Sequence, residues 1–530
     1  MEKNKLLLLP FFAGLILMVY SWYLSYPLSI NSVDDFVFNH ISILYWFSLP
    51  LLLASMFMMA VTSKSNYTKW IISVGIVMTI YSLSYFYYML PSIDSHYFRG
   101  ITEGFIRTKD LDPLKPNRGY FQWPSFFLLA DMTTSLSGME LATYEFLFYT
   151  VIGFLIATAF YVYASRAYKH GGFLAAVAFF VAMFYFFNYQ NVPYSLAFGL
   201  LFLLFMLETR QKNLNVRLTM LVLFVGMTFV HLFVPLFFVL YLLIRWILNR
   251  GKQHGSLLLL TLVIYLIVQI TQAQFSFTDN IKLMTTLSAE YSDVLGATMT
   301  PTLVPLDVVA QMFSRYVTIT AAMICLVGFI ILLIKRKMRE IDKAILLTGA
   351  AYSVFGTILF ILGTRAIPLF FIPICLGASF LLESRVRPFA KFLFLILLIL
   401  FAFIPLHTSF SEQQIVFQTK EAQTTAKFLM DKYDWDAYST ILSHDSTMWY
   451  IATQIEGNSK VESDHSSRFQ SLIVNYNSSF IENYDCIIYS VGVAKSLKSN
   501  NLSAEELSRR ILDRFNIIYN SGFSYIGKKR

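Results

Sequence analysis

Long apolar runs recur along the first 405 residues of the chain and constrain its fold more than any other feature. A helix needs about 20 mainly apolar residues to cross the hydrocarbon core of a bilayer. Runs of this kind lie near residues 6–30, 41–61, 70–90, 143–165, 171–188, 192–207, 255–272, 316–334, 344–362, 366–382 and 389–405. The sequence therefore predicts a mainly α fold, a polytopic transmembrane helical bundle.

The composition agrees with this prediction and excludes other classes of protein. Hydrophobic residues make up 56% of the 530 residues and charged residues only 14%, and the mean hydropathy is +0.58. Soluble globular domains carry about 25% charged residues, so the composition argues against a soluble enzyme. Three cysteines are too few for a disulfide scaffold.

Basic residues between the runs predict the orientation of the chain. Every second connection is basic, and Lys3 and Lys5 precede the first run. Because cytoplasmic loops carry an excess of Lys and Arg, these connections and the N-terminus are predicted to be cytoplasmic. The basic connections contain Lys64 and Lys69; Arg166 and Lys169; Arg210, Lys212 and Arg217; Lys335, Arg336, Lys337, Arg339 and Lys343; and Arg385, Arg387 and Lys391.

The net charge of +9 has the same origin. From Leu406 onward the chain has 13 of its 41 Lys and Arg residues and 14 of its 32 Asp and Glu residues. The basic surplus is thus confined to the apolar part of the chain, where it indicates membrane topology. Nucleic acid is not an expected partner, whereas the lipid bilayer is.

One apolar block, residues 218–249, breaks the alternation because both of its ends are basic. A single straight span would place one basic end outside and invert every later loop. Two short helices that meet near His231 and Pro235 restore the parity. The predicted bundle then has 11 spans plus a short two-helix hairpin, about 13 helices, and the hairpin tip with His231 reaches toward the outer face. The basic residues at the two ends are Arg217, Arg245, Arg250 and Lys252.

Three long segments are predicted on the outer side of the membrane, at 91–142, 273–315 and 406–530. The chain is accordingly divided into a transmembrane domain, residues 1–405, and a soluble extracytoplasmic domain, residues 406–530. The first outer segment is expected to form interfacial helices over about 91–142, because residues 125–137 are apolar but interrupted by Asp131.

The C-terminal segment has the pattern of a small α/β domain. Residues 420–433 have helical spacing, and Cys486 to Val491 has the pattern of a buried strand. A strand at 516–519, a turn at 520–522 and a second strand near 523–526 predict a closing hairpin.

Candidate chemistry is concentrated in the first outer segment, which begins with Asp94-Ser95-His96-Tyr97 and Arg99 and continues to Tyr120-Phe121-Gln122-Trp123-Pro124. At a partly dry interface, the Asp94 carboxylate could act as general base on a hydroxyl. Arg and His side chains nearby could hold an anionic leaving group such as a lipid phosphate. Two alternatives remain: Asp94 caps the following helix, or Asp94 and His96 form half of a metal site.

His231 and Arg365 are candidates because of where their ionisable groups lie. His231 is inside the apolar hairpin, and ionisable groups at membrane depth are costly and often functional; the alternative is a hydrogen-bonded core histidine. Arg365 follows a span on the predicted outer side, against the positive-inside trend, and could bind a lipid phosphate or snorkel to headgroups.

Asp34 and Asp35 form an acidic pair between the first two spans. Paired carboxylates could share acid and base roles or bind a divalent cation such as Mg or Mn, although such a pair is more often a solvated turn. No Cys/His spacing typical of a zinc site occurs in the chain.

Together these features resemble the GT-C class of membrane glycosyltransferases, which use polyprenyl-phosphate sugars. Asp94-Ser95-His96-Tyr97 looks like their first-loop acidic motif, with Asp34-Asp35 as the alternative pair. The segment from Tyr120 to Pro124 with Ser137-Gly138 resembles the Tyr-x-x-x-Pro and Thr-Gly stretch of archaeal-type protein mannosyltransferases. Val230-His231-Leu232 and Arg365-Ala366-Ile367-Pro368 resemble a histidine segment and a late arginine segment of the class, which includes aminoarabinose transferases.

The resemblance implies sugar transfer with inversion from a polyprenyl-phosphate donor to a glycan, lipid or protein acceptor on the outer face of the cell membrane. Asp94 would be the catalytic base. His96, Tyr97, Arg99, Tyr120, Trp123, His231 and Arg365 would bind substrate.

Two other classes of function remain alternatives at this point. A transporter or lipid flippase would place ionisable groups at mid-membrane depth and usually show repeat symmetry. A non-catalytic membrane assembly protein would use the outer domain as a binding module.

Overall fold

The computed structural model describes part of the 530-residue chain. The described residues are 2–26, 41–80, 82–86, 93–111, 119–168, 172–182, 192–208, 213–251, 254–272, 305–335, 338–358, 367–383, 388–389, 391–396, 428, 441–442, 486–489, 515–520 and 525–529.

The described part of the chain is mainly helical, as the apolar runs predict. Its α-helices are α1 (Glu2–Ser25), α2 (Ile43–Thr62), α3 (Asn66–Ile80), α4 (Ile93–Thr108), α5 (Ser125–Ser137), α6 (Leu141–Ser165), α7 (Gly172–Ala182), α8 (Pro193–Glu208), α9 (Leu214–Thr228), α10 (Phe233–Leu248), α11 (Gly255–Thr271), α12 (Pro305–Ile334), α13 (Glu340–Ile358) and α14 (Ile367–Glu383). Single 3₁₀ turns lie at Ser82–Phe86 and Gly119–Gln122.

Three of the described helices are long and apolar enough to cross a membrane, namely Leu6–Ser25 within α1, all of α2 and all of α6. Further apolar helices of 10 to 17 residues lie in α7 to α12 and in α14. The first ten predicted runs each contain a described helix, but the count of eleven spans plus a hairpin stays a prediction.

The two-helix interpretation of the apolar block 218–249 is confirmed. Helix α9 ends at Thr228 and α10 begins at Phe233, so a four-residue tip separates them. His231 lies in this tip, and its backbone N–H donates to the carbonyl of Met227 at 3.2 Å.

Local signals in the sequence account for several helix ends. The side-chain oxygens of Ser42 and Asn213 accept hydrogen bonds from backbone N–H groups two residues on and so cap α2 and α9. Pro193 is the first residue of α8, where its missing N–H costs nothing. Gly138 closes α5 with φ +68°, a conformation that glycine adopts without strain.

The helices pack around one continuous apolar core. Helix α1 packs along α2, α6 contacts α3, α7 and α8, and α14 contacts α7, α12 and α13. The outer surface of the bundle is apolar too: Leu9, Ile16, Val263 and Ile267 are among the exposed side chains of α1 and α11. This surface suits a hydrocarbon environment better than water.

Four strands form one mixed sheet in the C-terminal segment, with order β1-β2-β4-β3. They are β1 (Ile441–Leu442), β2 (Cys486–Tyr489), β3 (Phe515–Asn520) and β4 (Tyr525–Lys529). Strands β1 and β2 are parallel, whereas β4 is antiparallel to β2 and to β3. Strands β2, β3 and β4 overlap the three predicted strands, with ends that differ by up to three residues, and β3 pairs with β4 as expected for the hairpin. Most of the predicted turn lies outside the described residues.

The α/β character of the C-terminal segment stays a prediction. Of the helix expected at 420–433, only residue 428 is described, and it is helical.

Candidate functional site

Polar contacts between the helices occur at both ends of the bundle. Helix α6 contacts α4 through Glu145 in its first turns and contacts α8 and α13 through Arg166 and Tyr163 at its other end. The hairpin end of the bundle is defined by Arg99, Trp123, Glu145, Tyr194 and His231. The ion-pair end is defined by Tyr163, Glu208, Arg245, Arg339 and Asp342.

Helix α4 is held at the hairpin end by a buried guanidinium. Arg99 is only 4% exposed, and its Nη1 donates to Glu145 Oε2 of α6 at 3.2 Å. Its Nε donates to Glu103 Oε1, one turn further along α4, at 3.0 Å. Arg99 therefore joins α4 to α6, a candidate membrane span.

The aromatic segment Tyr120–Trp123 lies between α4 and the hairpin tip. The ring of Tyr120 meets that of Phe98 of α4 edge to face at 4.7 Å. Trp123 packs against Leu232 of the tip. Among the described residues, the buried indole N–H of Trp123 finds no hydrogen-bond acceptor, so it remains a donor for a ligand.

The first turn of α5 fixes the same segment to the hairpin. The N–H of Ser125 donates to the carbonyl of Phe229 in the hairpin tip at 3.1 Å. Residues far apart in the sequence, on α4, in the 3₁₀ turn and in the hairpin tip, thus belong to one end of the bundle.

His231 lies buried in the hairpin tip, with a defined tautomer in its neutral state. Its Nδ1 accepts the N–H of Phe233 at 3.1 Å, so the proton of the neutral ring is on Nε2, which is a donor. The ring is edge to face with Tyr194 of α8 at 5.5 Å.

Asp94, His96 and Tyr97 lie in the first turns of α4, which begins at Ile93. Asp94 is therefore inside the helix and is not its N-cap. In the first turn of a helix, the helix dipole also stabilises a carboxylate. Nothing is described of these three side chains. Arg365 and the pair Asp34 and Asp35 lie outside the described residues.

Charges at the ion-pair end form two connected groups. Arg245 Nη2 of α10 lies 3.2 Å from Glu208 Oε1 of α8, and its Nη1 lies 3.3 Å from Glu340 Oε2 of α13. Arg339 pairs with Asp342 at 2.9 Å. The Tyr163 hydroxyl donates to Asp342, and the Arg339 guanidinium covers the Tyr163 ring at 4.7 Å.

His254 and Asp131, which lie outside the predicted spans, have lowered pKa values. Burial, with the positive charges of Arg245 and Arg217, lowers the pKa of His254 to about 4, so this ring is neutral at pH 7. The hydrogen bond from Lys109 lowers the pKa of Asp131 on α5. Because its pKa is lowered, the Asp131 carboxylate is a weaker base than an unpaired aspartate.

Sequence reasoning missed Glu103 and Glu145 at the hairpin end and Glu208 at the other end. For Glu145 and Glu208 the available signal was an acidic residue within one turn of the end of an apolar run, because such a group needs a partner at membrane depth. Glu103 carried no such signal. The partner could not be identified, since Glu145 pairs with a residue 46 positions away.

Among the described residues, no group of three or more His, Cys, Asp and Glu could hold a metal ion. No family model matches the chain, and no curated protein matches its sequence.

Proposed function

We propose that this chain is a membrane glycosyltransferase that moves a sugar from a polyprenyl-phosphate donor to an acceptor on the outer face of the membrane. One observation carries the proposal. The hairpin end brings α4, with Asp94 in its first turn, next to the aromatic segment of Trp123, and Trp123 in turn packs against the tip that contains His231.

The proposed reaction is an inverting displacement. Asp94 takes the proton of the acceptor hydroxyl, whose oxygen attacks the anomeric carbon of the donor sugar. The bond between that carbon and the phosphate oxygen breaks, and the polyprenyl phosphate leaves with the bonding electrons. The Nε2–H of His231 and the guanidinium of Arg365 stabilise the charge that develops on this phosphate.

Other side chains of the hairpin end are assigned to the sugar. The indole N–H of Trp123 is suited to a sugar hydroxyl because it is a buried donor that lacks an acceptor among the described residues. His96, Tyr97 and Tyr120 complete the proposed substrate site. Arg99 does not fit the phosphate, because Glu103 and Glu145 already engage it and an anion would compete with two carboxylates.

The proposal includes the topology. Eleven spans and the α9–α10 hairpin place the N-terminus in the cytoplasm and residues 406–530, as a small α/β domain, outside. The two ends of the bundle support this arrangement. The connections rich in Lys and Arg, such as the one that contains Arg166 and the one between α12 and α13, lie at the ion-pair end. At the hairpin end, the described basic residues Arg99, Arg107 and Lys109 are matched by at least as many acidic ones, among them Glu103, Asp110 and Asp131.

The test is release of polyprenyl phosphate by the purified protein in liposomes that contain a polyprenyl-phosphate hexose and an acceptor glycan or lipid. We expect release and covalent transfer by the wild type. Asp94→Asn should lower the rate by about 10²- to 10⁴-fold, the usual contribution of a general base. Asp131→Asn is the matched control, because it removes a carboxylate of the same outer segment that is already ionised and paired with Lys109.

Three outcomes would count against the proposal. Full activity in Asp94→Asn together with loss in Asp34→Asn or Asp35→Asn would move the base to the acidic pair. Passage of a labelled lipid or solute across the liposome membrane without a covalent product would indicate a transporter or flippase. If neither sugar transfer nor passage of a labelled lipid or solute is detected, a non-catalytic assembly protein is favoured.

A further inference from the structure

The contact between Arg99 and Glu145 is unusual because both charges are buried. The side chains are 4% and 3% exposed, and the atoms Nη1 and Oε2 lie 3.2 Å apart. Glu103, the second carboxylate on Arg99, is 19% exposed and belongs to the same helix as Arg99. Of these two carboxylates, Glu145 is the one that belongs to another helix.

A buried ion pair adds little net stability to a protein. Removing two charges from water costs several kcal/mol per ion, and well-packed apolar residues of the same volume often hold two helices as well or better. What a buried pair does supply is a defined geometry, since both partners need their hydrogen bonds. The Arg99–Glu145 contact is therefore best explained by the orientation that it imposes.

The apolar contacts of α4 do not fix that orientation. Phe98 and Phe105 pack against aromatic rings of the turn Gly119–Gln122, and Phe98 also packs against α5. Ile101 is buried in the same core. Each such pair of rings is worth only about 0.5 to 1.5 kcal/mol beyond its buried area, and these pairs connect α4 to the turn Gly119–Gln122 and to α5 rather than to α6. A guanidinium with one carboxylate on its own helix and one on α6 permits far less movement.

Asp94 is five residues before Arg99 on the same helix. At a rise of about 1.5 Å per residue, the two positions are roughly 7.5 Å apart along the axis. Fixing Arg99 against α6, a candidate span, therefore fixes the first turn of α4 relative to the membrane-embedded body.

We propose that Glu145 is a positioning residue: its carboxylate binds the buried Arg99 guanidinium and holds α4, and with it Asp94, in place against α6. This inference rests on the proposed function for its catalytic consequence. The physical contact itself is independent of what the protein catalyses.

The experiment combines hydrogen-exchange mass spectrometry of the full-length protein with donor kinetics. In Glu145→Gln, amide exchange over residues 93–108 should be at least tenfold faster, and exchange in α2 and α8 should not change. The kcat for polyprenyl-phosphate hexose should fall at least tenfold with KM within twofold of wild type. Glu145→Asp keeps the charge and should recover most of kcat, which a purely space-filling role would not predict because Gln is the closer match in shape.

Glu103→Gln is the matched control, because it removes the other carboxylate from the same arginine but leaves the contact between α4 and α6. Its exchange over 93–108 should equal that of the wild type. Should Glu145→Gln unfold globally, the double variant Arg99→Gln/Glu145→Gln removes both charges of the pair and should fold with fast exchange confined to 93–108.

The inference is overturned if exchange over 93–108 in the folded Glu145 variant equals that of the wild type, or if Glu103→Gln has the same effect. Failure of the proposed function gives a different result. In that case no variant or wild type transfers sugar, yet exchange in Glu145→Gln still rises.

Discussion

Several buried charged residues of this protein lie near the ends of apolar helices. Glu208 ends α8 and is buried, and its carboxylate lies 3.2 Å from Arg245 and 3.9 Å from the Nε2 of the neutral His254. A buried charge without a partner is costly. Removing one residue of this buried ion pair should therefore destabilise the protein more than breaking a surface ion pair does.

We predict that Glu208→Ala lowers the free energy of unfolding by about 3 kcal/mol or more, since it leaves the Arg245 guanidinium buried without its inter-helix partner on α8. The control is Lys109→Ala, which breaks the pair with Asp131. Lys109 is 55% exposed, and a surface pair contributes less than about 1 kcal/mol. Unfolding of the detergent-purified variants by added denaturant measures both values, and equal losses would contradict the prediction.

At the residue scale the sequence identified Trp123 and His231 individually, from an aromatic-Pro motif and an ionisable group in an apolar block. It could not pair Arg99 with Glu145 or Glu208 with Arg245. Those pairings depend on which helices become neighbours. Neighbouring helices cannot be identified from their sequences when the packing between them is apolar.

At the scale of elements, the α9–α10 hairpin was predictable because charge parity required it. Both ends of residues 218–249 are basic, and only an even number of crossings keeps both on one side. The crossing of α12 and α14 was not predictable. There Gly328 and Gly377 bring the two backbones into direct contact, and a Cβ at position 377 would lie 2.2 Å from the carbonyl oxygen of Cys325.

We predict that Gly377→Ala separates α12 from α14 and lowers the free energy of unfolding by about 1 to 3 kcal/mol, the usual cost of overpacking. Gly226→Ala in α9 is the matched control, because no atom lies within 4 Å of the added Cβ. The free energy of unfolding of that variant should equal that of the wild type or exceed it by up to about 1 kcal/mol, because alanine has the better helix propensity. Thermal unfolding of the two variants in the same detergent tests the difference, and an unchanged Gly377→Ala would show that the backbones are not in contact.

As a whole molecule, the described bundle has two ends of different composition. Arg99, the aromatic segment and the hairpin tip belong to one end, and the ion pairs of Glu208, Arg245 and Arg339 belong to the other. Alternation of basic connections predicted which helix ends would meet. The composition of each end depends on tertiary contacts and emerged only from the structure.

The proposed reaction requires the hairpin end to face outward, because the lipid-linked sugar would be used on the outer side of the membrane. Ser135 in α5 and Ser65 between α2 and α3 are both exposed, and they lie at the hairpin end and the ion-pair end respectively. Each would be replaced by Cys in a chain whose own three cysteines are Ala, and intact cells would be treated with a membrane-impermeant maleimide. We predict labelling of Ser135→Cys in intact cells and of Ser65→Cys only after permeabilisation. Labelling of Ser65→Cys alone in intact cells would contradict the orientation and the site that depends on it.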